Sequence, residues 1–251
     1  MDKGTNQAAT RCLVVGASHE AALRDAWQQQ RWPRFEFINF WSLHFAGRRL
    51  EEALAALRAR AQHLSLIAIA FGSNAHNRAC LIESPEAFAT ADALGQPVPV
   101  EMAARRFIPR DLFREHLKAE SALMLGLVGA VHEAFPHQCF VHLCSPPPVL
   151  TMPEVADRLA LPQEQRDFME MLDRNPLPPA LRIEAFRLQT EIFHEEATRR
   201  GVPFLQPPLP ALTPEGFLAP GFVAYGDPSH ANAAYGALVL DQIAAHLREL
   251  A

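Results

Sequence analysis

Three groups of residues carry side chains suited to acid–base or nucleophilic chemistry. Near the C-terminus, residues 225–232 read Tyr-Gly-Asp-Pro-Ser-His-Ala-Asn, which puts Asp227 three residues before His230. That spacing lets both side chains share one face of a helical turn, so the carboxylate can hold one ring nitrogen and leave the other free. Ser18 lies on the turn after an apolar run near the N-terminus. Together they predict a carboxylate that orients an imidazole, which activates a hydroxyl for attack on an ester.

Each candidate residue also has an ordinary structural explanation. Ser18 is suited to cap the helix that follows it. Asn74, in Gly-Ser-Asn at 72–74, is suited to stabilise a turn, although its amide can instead donate to a developing oxyanion, worth ~2.7–4 kcal/mol in the transition state. Asp227 is suited to cap the last helix, with Pro228 at the first helical position. One carboxylate can both cap a helix and orient a histidine, so for Asp227 the two interpretations are compatible.

The elements that must position these groups alternate between strands and helices. Apolar runs without polar alternation predict five buried parallel strands, at 12–15, 35–40, 64–71, 139–143 and 202–205. Helical patterns follow at 21–30, 48–63, 111–135, 179–200 and 231–250. The alternation predicts an α/β fold, a doubly wound five-stranded parallel sheet in the flavodoxin-like order 2-1-3-4-5 with helices on both faces. Ligands of such sheets bind beyond the carboxyl ends of the strands, where the three groups would converge.

Residues 1–251 are predicted to form a single domain with two additions to the minimal fold. Proline-rich stretches at 84–110 and 146–180 interrupt the pattern, and because each follows a strand end we expect loop or helical insertions near the site. Cys12, Cys139 and Cys144 lie in or beside apolar runs and are predicted to be buried thiols.

Composition argues against several classes of partner. The formal net charge of -5 is spread without a basic block, which is unlike a nucleic-acid-binding surface. No apolar run approaches the ~20 residues needed to span a bilayer. The first residues lack the pattern of a signal peptide, so a cytoplasmic location is the expectation. The pattern specifies no oligomeric state.

The three motifs, in this order and strand context, resemble blocks of the SGNH (GDSL-like) hydrolases. The family has Gly-Asp-Ser after the first strand, Gly-x-Asn after the third, and Asp-x-x-His before the last helix; the counterparts here are 16–18, 72–74 and 227–230. Residues 140–148 also resemble the family's fourth strand and its proline-rich exit, so the similarity covers nearly the whole chain. Ala17 replaces the family's Asp and Ala75 follows Asn74 in place of a frequent Asp, which indicates a divergent branch.

The resemblance implies a role for each residue. Ser18 would be the nucleophile that forms an acyl intermediate, His230 the general base, and Asp227 the residue that orients His230. Asn74 and the Ser18 backbone N–H would form part of the oxyanion hole, with Gly47 as its remaining donor. No cofactor and no metal ion are expected. The implied substrate is a small O-acyl ester, such as an acetylated carbohydrate.

The sequence is also compatible with three other functions. The same triad serves an O-acyltransferase that passes the acyl group to a sugar hydroxyl. A binding protein that kept the fold and lost catalysis is compatible with the two alanine departures. A metal-dependent hydrolase would gather His19, His76, Asp227 and His230 at the strand ends, although no metal-binding sequence spacing supports it.

Overall fold

The computed structural model describes residues 11–29, 32, 34–40, 50–61, 63–82, 88–90, 106–151, 158–174 and 178–250. Its main sheet has five parallel strands: β1 (Cys12–Gly16), β2 (Phe35–Asn39), β3 (Leu66–Ala70), β4 (Phe140–Leu143) and β5 (Phe204–Leu205). The strands are hydrogen bonded in the order β2-β1-β3-β4-β5. The predicted α/β class and the order 2-1-3-4-5 are confirmed.

Seven helices surround this sheet in the described residues: α1 (Glu20–Trp27), α2 (Leu50–Ala61), α3 (Arg110–Glu120), α4 (Ala122–Ala134), α5 (Gln163–Arg174), α6 (Pro179–Arg199) and α7 (Ala233–Glu249). A short helical stretch, Ala75–Asn77, follows β3 and continues into the wider turns of Arg78–Ile82. Single 3₁₀ turns occupy Arg158–Ala160, Leu209–Ala211 and Pro220–Phe222.

Strand β1 shows why continuous apolar runs form this sheet. Every residue of β1 is buried, because helices cover both faces. Cys12 and Val14 pack in one core layer with residues of α1 and α7, whereas Leu13 and Val15 pack in the other with residues of α2 and α4. A strand buried on one face only would have alternated with polar residues.

The single helix predicted over 111–135 is wrong, because α3 ends and α4 begins around Ser121. The two helices bury different faces. Leu117 of α3 packs with residues of α6, while Val128 and Val131 of α4 pack against the sheet. The backbone N–H of the fully buried Ser121 is shared between the carbonyls of Leu117 and Lys118, as is common where an α-helix ends.

Both predicted insertions contain secondary structure where they are described. Phe88–Ala89 pairs in parallel with Arg106–Phe107. In the second insertion, α5 packs against the strand Asp227–Ala231, and Leu161 lies so close to Gly226 that a Cβ there would be 2.6 Å from its Cδ2. The second insertion therefore borders the Asp227/His230 segment. That residues 1–251 form one domain stays a prediction.

Two further expectations concern single residues and the bilayer. The predicted burial of Cys139 is wrong: it precedes the first residue of β4 and is exposed, whereas Cys12 is buried and Cys144 is half-buried. Within the described ranges, no helix combines the length and apolar character needed to cross a membrane.

Candidate active site

Ser18 lies on the turn between β1 and α1. The N–H of Ala21 donates to the Ser18 carbonyl at 3.2 Å, so the backbone enters the helix directly. His19, not Ser18, occupies the N-cap position of α1, and its side chain makes no capping hydrogen bond. The Ser18 side chain is exposed, while His19 is 6% exposed. Ser18 therefore does not serve as the helix cap.

Hydrogen bonds from Asn39 hold this turn in place. Asn39, at the end of β2, donates from Nδ2 to the Ala17 carbonyl and to Glu20 Oε2, both at 3.0 Å. Glu20 is fully buried, and burial raises the pKa of its carboxyl, although Asn39 and the charge of Arg24 oppose that rise. A Cβ on Gly16 would lie 2.6 Å from Glu20 Cβ, so the turn requires glycine at the end of β1.

Asp227 and His230 are in contact, but not on a helical turn as predicted. Asp227–Ala231 is a strand that pairs antiparallel with Val223–Ala224, and α7 begins only at Ala233. The predicted capping by Asp227 is also wrong, since Asn232 Oδ1 accepts the first free N–H groups of α7. Asp227 Oδ1 accepts the Ser229 N–H at 2.8 Å, a local turn that brings residues 227 and 230 to one side.

Hydrogen bonds orient the Asp227/His230 pair and keep the Asp227 carboxyl ionised. Asp227 Oδ2 lies 2.8 Å from His230 Nδ1, and Ser229 Oγ donates to Asp227 Oδ1 at 2.7 Å. Burial raises the pKa of Asp227, but the hydrogen bond and charge of His230 and the two bonds from Ser229 outweigh it and hold that pKa at about 2. The carboxylate is therefore ionised at neutral pH and favours the proton on Nδ1, which leaves Nε2 as the acceptor.

The turn that carries Ser18 lies beside His230. The ring centroids of His19 and His230 are 5.2 Å apart, and α1 packs against α7. His230 Nε2 is buried and makes no protein hydrogen bond among the described residues, so it is not bonded to Ser18. Burial lowers the pKa of His19 well below its ordinary value, and the neighbouring His230 and His76 lower it further.

Asn74 follows the neighbouring strand β3, whose last residue, Ala70, pairs with Gly16 of β1. Its backbone has φ −103° and ψ 16°, close to the sparsely populated bridge region. The half-buried Asn74 side chain makes no capping bond; instead Ser73 Oγ accepts the Ala75 N–H at 3.0 Å and stabilises the turn. Asn74 Oδ1 accepts from Asn77 Nδ2 at 2.8 Å.

The structure brings together part of the predicted set. Ser18 and Asn74 follow neighbouring strands at the carboxyl edge of the sheet, and Asp227 contacts His230 there. His19 and Gly72 line one small cavity, which links the turns after β1 and β3. Gly47 lies outside the described residues.

For the metal alternative, the described part of the chain contains no group of three or more His, Cys, Asp or Glu side chains arranged around a common point.

Some residues that shape this site were not predicted from the sequence. Ser229 lies inside the Asp-x-x-His motif, and Asn77 lies one helical turn after Asn74, so in both cases spacing was an available signal. Gln189 contacts the Asn74 turn from α6, more than 100 residues away, and no local pattern marks it.

No protein-family model and no curated protein sequence matches the chain. Solved structures similar to it include a GDSL-like lipase from Bacteroides thetaiotaomicron, 12% identical, aligned over 96% of this chain and 89% of that one with a TM-score of 0.46. A carbohydrate acetylesterase from Sinorhizobium meliloti is 14% identical over 94% and 100% of the two chains, with a TM-score of 0.43. An extracellular lipase from Streptomyces rimosus is 14% identical over 94% and 100%, with a TM-score of 0.47. Similarity at this level assigns no substrate and no residue role to this chain.

Proposed function

We propose that the chain is a divergent SGNH-type serine esterase that hydrolyses a small O-acyl ester through an acyl-Ser18 intermediate. One observation carries the proposal: the His230 imidazole is hydrogen bonded to the Asp227 carboxylate at 2.8 Å and packs beside the turn that presents Ser18. An oriented imidazole next to an exposed hydroxyl at the carboxyl edge of a parallel sheet is suited to nucleophilic catalysis.

In the proposed reaction, Ser18 Oγ attacks the carbonyl carbon of the ester while His230 Nε2 takes the hydroxyl proton. The ionised Asp227 stabilises the imidazolium that forms. When the tetrahedral intermediate collapses, the ester C–O bond breaks and the alcohol leaves with the proton from His230. Water then attacks the acyl-Ser18 carbonyl while His230 accepts a proton from the water. The bond between the acyl carbon and Ser18 Oγ then breaks, His230 returns the proton to Ser18 Oγ, and the acid is released.

The negative oxygen of each tetrahedral intermediate requires hydrogen-bond donors. We propose the Asn74 Nδ2 and the Ser18 backbone N–H for this role, with Gly47 as a third donor. The available atoms support the choice, because Asn74 Oδ1 is already bonded to Asn77 and its NH₂ is the group left to face a substrate. Because Ser18 is not hydrogen bonded to His230, its exposed side chain must rotate towards His230 for the reaction. Catalytic hydrogen bonds often tighten only when substrate binds.

We propose an acetylated carbohydrate as the substrate class, and Tyr225 is the aromatic residue best placed to contact a sugar ring. It is 65% exposed and lies two residues before Asp227. Trp27 packs on Phe37, and Trp32 is buried with its ring N–H donated to Asp241, so both serve the core. Trp41 lies outside the described residues. An exposed aromatic ring two residues before Asp227 is suited to stacking on a pyranose.

Labelling by a fluorophosphonate tests the proposed nucleophile, since this reagent phosphonylates an activated serine. We expect one label, mapped to Ser18 by peptide mass spectrometry, which is lost in Ser18→Ala and strongly slowed in His230→Ala. Ser65→Ala, which changes a serine before the amino end of β3, is the matched control and should keep labelling and ester turnover unchanged. Folded wild-type protein that resists the label and cleaves no p-nitrophenyl or sugar ester would contradict the proposal and favour a binding protein.

A further inference from the structure

The amide of Asn74 can meet a substrate in two orientations, and only one of them helps catalysis. Its NH₂ group donates to an oxyanion, whereas its oxygen would repel one. Asn77 Nδ2 donates to Asn74 Oδ1 at 2.8 Å, and Asn77 is 3% exposed, so water competes little for this bond. This hydrogen bond directs Asn74 Oδ1 towards Asn77. Nδ2, which is bonded to the same carbon, is therefore directed away from Asn77.

The backbone around Asn74 is fixed independently of this contact. Gln189, on α6 and 1% exposed, donates from Nε2 to the Ser73 carbonyl at 2.5 Å and accepts the His76 N–H at 2.9 Å. Ser145 Oγ, from the exit of β4, donates to the same Ser73 carbonyl at 3.2 Å. With residues 73 and 76 held, Asn74 can change only its side-chain torsions, and Asn77 is the neighbour that selects among them.

We infer that Asn77 is a positioning residue of the oxyanion hole, which fixes the Asn74 amide with Nδ2 directed to the oxyanion. The inference rests on the proposed esterase function and assigns Asn77 no contact with substrate. If it holds, efficient turnover requires that this hydrogen bond run in one direction, with the donor on Asn77 and the acceptor on Asn74.

The substitution Asn77→Asp reverses this hydrogen bond with little change of shape. An ionised carboxylate only accepts, so Asp at 77 would attract the Asn74 NH₂ and turn the amide oxygen towards the oxyanion. A protonated carboxyl can donate its O–H to Asn74 Oδ1 and restore the original sense. Turnover of the variant relative to wild type should therefore recover as pH falls, which a simple loss of packing would not produce.

The experiment is a double-mutant cycle on p-nitrophenyl acetate hydrolysis, with Asn74→Ala, Asn77→Asp and the combined variant measured across pH. At neutral pH we expect Asn77→Asp to lower kcat by about 10²-fold with KM little changed, near the loss for one oxyanion donor. In the Asn74→Ala background it should change kcat by less than about 2-fold, since it acts only through Asn74. Gln138→Glu, the same exchange of amide for carboxylate before the amino end of β4, is the control with unchanged kcat.

The outcomes separate the inference from the function beneath it. Losses that multiply in the combined variant, or a ratio to wild type that does not rise at lower pH, would overturn the role of Asn77 and leave the esterase intact. Should Asn77→Asp not fold, Asn77→Ala carries the same cycle, with a smaller loss expected because the amide is then free to adopt both orientations. Wild-type protein that is not labelled at Ser18 by a fluorophosphonate would overturn the proposed function and this inference with it.

Discussion

Helices α1 and α7 approach so closely at Gly236 that no side chain fits between them. A Cβ at this position would lie 2.0 Å from the Ala22 carbonyl oxygen, 2.5 Å from its carbon and 2.9 Å from the Leu23 nitrogen. All three are backbone atoms, so no change of rotamer can relieve the collision. Ser18 precedes α1 and His230 precedes α7, so this contact sets how far apart the two groups stand.

The size of the effect follows from these distances. Ordinary van der Waals contact begins at 3.4 Å, so Gly236→Ala must part the helices by about 1.4 Å, the difference from 2.0 Å. Overpacking of a core typically costs about 1–3 kcal/mol, and the collision with backbone puts this site at the upper end or beyond. A misplacement of about 1 Å between catalytic groups can cost 10²-fold in turnover. We therefore expect Gly236→Ala to lose about 3 kcal/mol of unfolding free energy and to lower kcat about 10²-fold.

Urea denaturation and ester turnover measure the two effects separately. The control is Gly126→Ala, on the exposed side of α4, where a Cβ meets nothing within 4 Å. This control should stabilise the protein by about 0.5–1 kcal/mol and leave kcat unchanged, because alanine is the better helix former. Wild-type stability in Gly236→Ala would refute the close contact. Lost stability with unchanged kcat would refute its link to catalysis.

Three further changes test the site. Asp227→Asn should lower kcat by about 10⁴-fold with circular dichroism unchanged, because an amide favours the wrong His230 tautomer; a loss below 10-fold would contradict the orienting role. Burial lowers the pKa of His76 from 6.5 to about 4, so the unfolded chain binds more protons between these values, and stability, complete above pH 6.5, should fall as pH drops towards 4. Urea titrations should show His76→Asn removing about 3 kcal/mol of that fall, and an equally steep fall in the variant would contradict this. Tyr225→Ala should raise KM about 2- to 10-fold for an acetylated sugar and leave KM for p-nitrophenyl acetate unchanged, whereas equal changes for both esters would argue against stacking.

The sheet could be predicted from the sequence because its signal is local. Strands such as β1 and β3 are covered on both faces and consist almost wholly of apolar residues, so the run itself marks the strand. In the order β2-β1-β3-β4-β5, strands that are consecutive along the chain lie side by side, except that β3 pairs with β1 and not with β2, in keeping with the tendency of consecutive elements to be neighbours. Strand ends were less well defined, since the predicted run 64–71 becomes Leu66–Ala70 in the structure.

The errors arose where contacts with another segment override the pattern of a single run of residues. Spacing by three placed Asp227 and His230 on a helical turn, but pairing with Val223–Ala224 makes the segment a strand and moves the cap of α7 to Asn232. The apolar run over 111–135 gave no sign of the break at Ser121, which separates α3, packed with α6, from α4, packed against the sheet. The break at Ser121 depends on a partner distant in sequence, whereas the strand Asp227–Ala231 pairs with a segment just before it.

The glycines and the polar residues of the three motifs have different physical explanations. A Cβ on Gly16 would collide with Glu20, and one on Gly72 would lie 1.9 Å from Ser145 Oγ, so packing alone requires glycine at both positions. Packing does not explain His230, whose buried Nε2 makes no protein hydrogen bond in the described part of the chain. The proposed chemistry therefore rests on the hydrogen bond between His230 and Asp227 and on the position of His230 beside the Ser18 turn, more than on the motif glycines.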